Sequence, residues 1–304
     1  VRNSGVVTVP MGRIGFASGE RVTLDLSGDQ FLQVALPTGD DADDGLALID
    51  HSGTASAEGG LIEMRVATAR EAVRQAVNLS GVAEARSVSM HNGTIVLGGG
   101  AGGTVTVSGQ VSTRSTSSAL AVEESLRPRS RPQITITGER IVLEGADIDA
   151  SHVTGDGLVR IGGDFAGQGD LQRATSVDVD SETVIRADAL QAGNGGRIAI
   201  WSDETTTFYG SVSAQGGAES GDGGFIEVSA KQFLTYGGLA NTRASFGSWG
   251  TLLLDPTDIT IDAGAGGEDA LEASLDSSNV TLTTEDAVGS DAGDITINAD
   301  INWT

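Results

Sequence analysis

The densest cluster of possible metal ligands lies in the segment 38–45, where four aspartates fall within five positions. In a calcium loop, Asp40 and Asp44 would occupy the first and fifth ligand positions. However, Ala42 then stands at the third ligand position, and His51 stands where a bidentate glutamate belongs. The pattern favours an exposed acidic loop, and Asp40 and Asp44 are retained as the calcium candidate beside that interpretation.

Aromatic and basic residues give two further candidates for ligand binding. Six aromatic side chains could stack on sugar rings: Trp201, Trp249, Tyr209, Phe208, Phe225 and Phe246. The alternative role is structural, because a Trp that ends an alternating strand can fill a corner of the fold or stack on the next turn. An Arg cluster in this acidic chain could bind an acidic polymer or form a surface loop. The ligand candidates are therefore Trp201, Tyr209, Arg127, Arg129 and Arg131.

No arrangement of residues predicts catalysis. His51, His91 and His152 are isolated in the sequence beside turn residues, so a surface position is expected for each. Carboxylates are plentiful but scattered, which is typical of a solvated surface. The absence of Cys excludes a thiolate metal site and a disulfide framework. We predict no catalytic residue, no cofactor and no enzymatic activity.

The composition excludes several classes of protein. The 304 residues include 44 Gly, and 18 Lys and Arg face 42 Asp and Glu, which gives a net charge of −24. A nucleic-acid-binding protein needs a basic face, so this charge argues against that class. No apolar run approaches the roughly 18 residues of a membrane span. The apolar residues are mostly Val, Ile, Leu and Ala, which together with Gly indicate β structure.

The elements that would position these residues repeat a short alternating unit that follows Gly. Seven copies lie at 60–66, 103–107, 157–161, 196–200, 224–228, 250–254 and 293–297. Further strands of the same kind are expected at 21–26, 133–136, 140–143 and 258–261. Alternation with a period of two predicts strands with one buried face and one wet face.

The intervals between these units indicate the architecture. Gly196 and Gly224 are 28 residues apart, and Gly224 and Gly250 are 26 apart. Such intervals are typical of solenoids and leave no room for the helical crossovers of βαβ units. We therefore predict an all-β fold, a right-handed parallel β-helix, with about 12 to 15 turns of ~20 to 26 residues and a length of roughly 60 to 70 Å. A β-propeller would need a recurring blade signature, and none is visible.

Four segments follow from this pattern. Residues 1–111 should form β-helix turns, with either a short helix or a strand and turn near 67–78. Residues 112–133 contain Arg and Pro and should form a protruding loop, because Pro cannot donate to a ladder. Residues 134–262 should form further turns. Residues 263–304 should begin with a short helix, since acidic residues precede an apolar face there, and should continue as truncated turns.

Three stretches of the sequence carry a family resemblance: 3–29, 195–217 and 250–261, the last reading GTLLLDPTDITI. With them the chain resembles the shaft of a filamentous-haemagglutinin-like exoprotein of the two-partner secretion (type V) class. The resemblance implies a right-handed β-helix that a Gram-negative bacterium secretes through an outer-membrane pore partner. The Asn-Pro-Asn motifs of that family are absent, so the pore contact is expected outside this chain. Both ends fall within turns, and we expect the chain to be part of a longer protein.

The resemblance and the composition together predict a function. We expect a structural and adhesive shaft at the cell surface that attaches to host cells, to other bacteria or to matrix polysaccharide, in virulence or biofilm formation. Two alternatives remain open: a polysaccharide-degrading lyase or hydrolase on the same scaffold, and the stalk of a contact-dependent toxin-delivery protein.

Overall fold

Each turn of the chain contributes three short strands, and strands of successive turns pair in parallel. The computed structural model describes residues 1–24, 32–35, 46–68, 74–86, 93–115, 131–264, 266–284 and 293–303. Three parallel sheets, here named sheet A, sheet B and sheet C, run along the coil. The predicted all-β parallel β-helix is confirmed.

The strands of the three sheets are short and recur in the order A, B, C along the chain. Sheet A contains Arg2–Asn3, Ile49–His51, Arg74–Leu79, Gly103–Val107, Arg140–Leu143, Ala174–Val179, Ser202–Phe208 and Phe233–Tyr236. Sheet B contains Val6–Thr8, Thr54–Ser56, Val82–Glu84, Gln110–Ser112, Asp147–Asp149, Val184–Arg186, Ser211–Ser213 and Leu239–Asn241. Sheet C contains Arg13–Ser18, Leu61–Val66, Thr94–Gly98, Gln133–Thr137, Leu158–Ile161, Arg197–Ile200, Phe225–Val228, Thr251–Leu254 and Asn279–Leu282.

The turns are longer and fewer than the sequence predicts. The 28- and 26-residue Gly intervals are true turn lengths, because Arg197 pairs with Phe225 and Phe225 with Thr251. Elsewhere the corners carry insertions, and Arg2 pairs with Asp50. The nine strands of sheet C, spaced ~4.8 Å apart, span about 38 Å. Within the described residues, the expectation of 12 to 15 turns over 60 to 70 Å is therefore wrong.

Every second side chain of a strand points into the coil and stacks on its equivalent in the next turn. One such row in sheet C contains Ile14, Ile62, Ile95, Ile134, Val159, Ile198, Ile226 and Leu252, and all are buried. A parallel register stacks equivalent positions of successive turns, here aliphatic side chains, so the core is continuous along the axis. Burial of each Ile or Leu contributes about 1.5–3 kcal/mol, which accounts for a stable coil without disulfides.

Two histidines lie inside this core, which corrects the expectation of surface positions. His51 is 0% exposed; its Nε2 lies 3.0 Å from the Val82 carbonyl oxygen, and its Nδ1 lies 3.0 Å from Asn3 Nδ2. His152 is 1% exposed, and its Nδ1 accepts from the backbone N–H of Thr154. Hydrogen bonds hold both ring nitrogens of His51 and the Nδ1 atom of His152, which offsets the cost of burying these polar rings inside the coil. His91 lies outside the described residues.

Two excursions interrupt the coil between sheet C and sheet A. Arg21–Leu24, predicted as a coil strand, instead pairs antiparallel with Leu32–Ala35 and forms a hairpin beside the coil. The second is the loop 163–173, which the sequence does not predict. It contains a single 3₁₀ turn, Phe165–Gly167, and folds back over the outer face of sheet C.

The sequence also predicted three other departures from the coil: a possible helix near 67–78, a loop at 112–133 and a short helix after 263. In the segment 67–78, Arg74 begins a strand that continues to Leu79, so the helix alternative is wrong from Arg74 onward; residues 69–73 lie outside the described residues. Most of the predicted loop 112–133 lies outside them as well, at 116–130. An α-helix occupies Glu268–Leu275, in the segment predicted to contain one, and buries Ala270 and Leu271.

The C-terminal part of the described chain also contains a small two-stranded sheet. Ile259–Ile261 pairs in parallel with Ile295–Ile297 beyond the helix. Within the described ranges, each helix is too short and too polar to cross a lipid bilayer.

Candidate functional site

The outer face of sheet C carries a groove of about 610 Å³, here named the sheet C groove. Its lining residues are Leu32, Gln33, Val34, Arg65, Val66, Gly98, Gly100, Thr137, Asp170, Leu171 and Gln172. Arg65, Gly98 and Thr137 are register neighbours on three successive turns and form the floor. A volume between roughly 300 and 1,000 Å³ is typical of small-molecule sites, so the groove is large enough for a ligand.

Gly98 gives the floor its depth. A Cβ atom at Gly98 would lie 3.8 Å from Arg65 Cγ and 3.8 Å from Thr137 Oγ1, which are ordinary contact distances. The backbone of this strand therefore does not require glycine. The missing side chain leaves open space between Arg65 and Thr137, and a branched side chain would fill it.

The two excursions form the walls of the groove. The strand Leu32–Ala35 of the hairpin provides one wall, and the segment 170–172 provides the other. Gln172 fixes the second wall, because its Nε2 donates to the Gly100 carbonyl at 2.7 Å. A smaller pocket of about 260 Å³ lies on the far side of Leu171 and Gln172, between Arg173, Glu139 and Asp203.

An ion pair holds the basic group at the floor of the groove. Arg65 Nη2 donates to Glu63 Oε1 at 3.1 Å, and the Glu63 side chain is only 5% exposed whereas that of Arg65 is 40% exposed. The buried carboxylate thus orients the guanidinium of Arg65, which lines the groove. Neither Glu63 Oε2 nor Arg65 Nε has a hydrogen-bond partner among the described residues.

The lining combines the groups that recognise sugars. Arg65 donates hydrogen bonds, Asp170 accepts them, and the amides of Gln33 and Gln172 do both. Leu171 and other apolar side chains of the lining can contact the C–H faces of a sugar ring. Because a sugar hydroxyl is both donor and acceptor, this mixture fits a polyhydroxylated ligand better than a purely charged one.

The beginning of the loop 163–173 is clamped onto sheet C through a buried carboxylate. The backbone N–H of Ala166 donates to both Glu227 oxygens, at 2.9 and 3.1 Å. The Phe165 ring lies 5.8 Å from Phe225, and the guanidinium of Arg197 lies 3.9 Å from the Phe165 centroid. These contacts fix the loop that continues into the groove wall.

Glu227 is consequently an unusual acid. It points outward from its strand, yet it is only 1% exposed because the loop covers it. Burial raises the pKa of the Glu227 carboxyl to about 7, although the Ala166 N–H lowers it; the nearby charge of Asp255 raises it further. The group therefore changes charge near neutral pH.

The predicted ligand residue Trp201 does not offer a face to a ligand. It is 8% exposed and lies under the loop, since Cβ atoms at Gly163 and Gly167 would approach its ring within 2.8 and 2.5 Å. Trp201 fills a corner, as the structural alternative proposed, and is removed from the ligand candidates. Phe208 is also buried, and its ring stacks on that of Tyr236 at 5.7 Å.

Three of the six aromatic candidates are exposed, but away from the groove. Tyr209 is 42% exposed, and its ring lies against Gly237. Trp249 is 41% exposed with the guanidinium of Arg243 5.5 Å from its ring, and Phe246 is 70% exposed nearby in the chain. None of the three lines the sheet C groove.

The other predicted site residues fall mostly outside the described part. This applies to the calcium candidates Asp40 and Asp44 and to the ligand candidates Arg127 and Arg129. Arg131 is described and exposed. Within the described residues, no group of three or more His, Asp or Glu side chains is arranged to hold a metal ion.

The sequence reasoning missed the groove because both of its walls are excursions. The stretch GGDFAGQG at 162–169 lies within the segment 134–262 that is predicted to form β-helix turns, yet an aromatic residue between glycines is a signal for a loop that covers a surface. The hairpin had a signal as well, since Ser27, Gly28 and Asp29, residue types that favour turns, separate two alternating stretches of the sequence.

Comparisons with known proteins give no family assignment. A scan against protein-family models yields no match for this chain, and a search of curated proteins yields none either.

Proposed function

We propose that this chain is the shaft of a large secreted bacterial surface protein and that it attaches to polysaccharide through the sheet C groove. The observation that supports this most directly is the groove itself: a sugar-sized concavity of about 610 Å³ with mixed polar and apolar lining on the outside of a closed aliphatic coil. The ladders and the core stabilise the coil, so outward side chains are free to serve binding.

The cellular part of the proposal has a separate basis. The resemblance of segments 3–29, 195–217 and 250–261 to two-partner secretion exoproteins supports export through an outer-membrane pore and display at the surface of a Gram-negative bacterium. Host cells, other bacteria and matrix polysaccharide are the proposed attachment partners. The acidic charge of −24 supports a role without nucleic acid.

The test blocks the groove without disturbing the coil. Gly98→Val places two methyl groups between Arg65 and Thr137, at a strand position that accepts a branched residue. We expect binding to immobilised cellulose, chitin, galactomannan, hyaluronan or alginate to weaken at least about tenfold, with unchanged circular dichroism. Thr281→Val, an exposed position on the outer face of the same sheet, is the matched control and should bind as the parent chain does.

Two outcomes would overturn the proposal. The first is the absence of binding to every polysaccharide of the panel, or binding that Gly98→Val leaves unchanged. The second is the release of unsaturated or reducing-end products from any of these polymers, which would make the chain a polysaccharide-degrading enzyme.

A further inference from the structure

A second concavity lies on the outer face of sheet B, and none of its lining residues belongs to the sheet C groove. It has a volume of about 300 Å³ and is here named the sheet B pocket. Its lining residues are Arg86, Gln110, Ser112, Arg114, Asp147, Asp149 and Arg186. Three arginines in one small pocket are a local exception in a chain with only 18 basic residues and a net charge of −24.

The parallel register brings two of these arginines side by side. Glu84 pairs with Ser112, and the ladder continues beyond the strands because Ala85 N donates to the Ser112 carbonyl at 2.8 Å. Arg86 and Arg114, each two residues after this pair, therefore lie on adjacent turns about 4.8 Å apart along the axis. Like charges opposite each other on neighbouring strands are destabilising unless a counter-charge lies between them.

The acidic partners of these arginines lie below them. Arg114 Nη1 donates to Asp149 Oδ2 at 3.0 Å, and the side chains are 42% and 5% exposed. Arg86 Nη2 donates to Glu84 Oε1 at 2.7 Å, with side chains 52% and 18% exposed. The carboxylates of Asp149 and Glu84 are therefore at the base and the guanidinium groups of Arg86 and Arg114 are at the rim, with the 42% exposed side chain of Asp147 beside them.

The third arginine secures the base of the pocket. Arg186 Nη2 donates to Asp147 Oδ1, and Arg186 Nε lies 3.6 Å from Asp149 Oδ2. Asp149 also accepts the backbone N–H of Ser151 at 2.8 Å. The base is thus internally paired, whereas Arg86 and Arg114 each use one nitrogen of the guanidinium fork in these ion pairs and have further N–H donors at the rim.

We propose that the sheet B pocket binds the carboxylate of an acidic sugar, a uronate unit, between Arg86 and Arg114. A planar carboxylate matches the two guanidinium forks and relieves their mutual repulsion. Gln110, Ser112 and Asp147 surround this position and can bond the sugar hydroxyls, Asp147 as an acceptor. A nucleic-acid phosphate offers no such hydroxyl donors beside its charge, so it would leave the Asp147 carboxylate without a hydrogen-bond donor from the ligand.

The net charge of the chain does not prevent this contact at physiological ionic strength. The Debye length is about 8 Å at 0.15 M salt, so carboxylates on other faces of the coil are screened from the pocket. The direct pairs with Arg86 and Arg114 are much shorter than that length. This inference does not rest on the sheet C groove, because the two sites share no lining residue.

The experiment measures binding of a galacturonate trimer by isothermal titration calorimetry at pH 7 and about 0.15 M NaCl. We expect a dissociation constant in the range of about 10 µM to 1 mM for the parent chain. Arg86→Ala and Arg114→Ala should each weaken binding at least about tenfold, because each removes one guanidinium fork. Arg114→Lys should restore only part of the loss, since Lys keeps the charge but not the fork.

Three controls keep the proposal falsifiable. Arg140→Ala removes an exposed arginine from sheet A and should bind as the parent chain does. Gly98→Val blocks the sheet C groove and should also leave this binding unchanged, so failure of one site is distinguishable from failure of the other. Unfolding temperatures of all variants should match that of the parent chain within a few degrees, since both arginines are more than a third exposed.

Several binding results would overturn the proposal. Equal affinity for the carboxyl-reduced trimer would show that the carboxylate is not recognised, and equal affinity for a sulfated trimer would remove the preference for a planar carboxylate. Binding unaffected by Arg86→Ala and Arg114→Ala, or abolished by Gly98→Val, would place the site elsewhere. No heat of binding up to about 10 mM would also reject the proposal.

Discussion

Glu227 owes its properties to the loop that covers it. The folded chain holds this carboxyl at a pKa of about 7, against an ordinary value of 4.5, because burial disfavours the charged form. As pH rises from about 4.5 to about 7, the unfolded chain releases the proton first. The folded state thus loses stability over this range, by roughly 3 kcal/mol in total.

Glu227→Gln should remove this loss. Glutamine can still accept the Ala166 N–H through Oε1 but carries no buried charge, so at pH 8 the variant should be more stable than the parent chain by roughly 3 kcal/mol. At pH 4 the two should be about equal. Urea unfolding at both pH values measures the difference, and Glu204→Gln, an exposed position, serves as the control. An identical pH slope in the Glu227→Gln variant would contradict this account.

At the scale of single residues, the spacing of the two rim arginines in the sequence indicates that they are neighbours in the fold. Arg86 and Arg114 are 28 residues apart, the same interval as Gly81 and Gly109, which stack on adjacent turns. Alignment on these glycines would have paired the arginines. For Trp201 the sequence offered only the corner-filling alternative, because the loop that covers its ring is inserted before its own turn.

The strands of this coil point alternate residues into the core and toward the surface. Substitutions at neighbouring positions should therefore differ sharply in their effect on the free energy of unfolding. Ile95 points inward and is 0% exposed, whereas the next residue, Val96, points outward and is half-buried. Ile95→Ala should lower the free energy of unfolding by about 2–5 kcal/mol, because it leaves a cavity in the central row. Val96→Ala should cost less than about 1 kcal/mol. Similar losses in the two variants, measured by denaturant unfolding, would be incompatible with the assigned register.

The strands could be predicted from the sequence where a turn of the coil is short, but the excursions that lengthen other turns could not. The copies that begin at Gly196, Gly224 and Gly250 lie on consecutive turns without large insertions, so alternation and interval agree. Between sheet C and sheet A the hairpin and the loop 163–173 break the interval, and alternation alone cannot distinguish a hairpin strand from a coil strand. That is why the fold class was predictable but the walls of the groove were not.

The whole molecule combines a short coil with a large excess of negative charge. With 42 acidic against 18 basic residues, carboxylates repel one another across the outer faces. In an ion pair such as that of Arg86 with Glu84 the arginine is 52% exposed, and a pair that is open to solvent is worth at most about 1 kcal/mol. Repulsion is the larger long-range effect, and added salt screens it.

Salt should therefore stabilise the chain. Raising NaCl from about 0.01 M to about 0.2 M should increase the unfolding temperature by on the order of 3–5 °C at pH 7. KCl should act equally, since screening depends on ionic strength and not on the identity of the ion. A decrease in unfolding temperature over this range, seen by differential scanning fluorimetry, would mean that the ion pairs outweigh the repulsion.

The uneven length of the turns has an evolutionary consequence. In-register partners are separated by as few as 25 residues, from Gln133 to Leu158, and by as many as 48, from Arg2 to Asp50, while the ladders remain aligned. Doubling the length of a connecting segment costs only about 0.6 kcal/mol of closure entropy. A coil of this kind can therefore accept inserted peptides at its corners while its strands keep their pairing. Natural duplication or deliberate grafting of epitopes could change the displayed surface in this way.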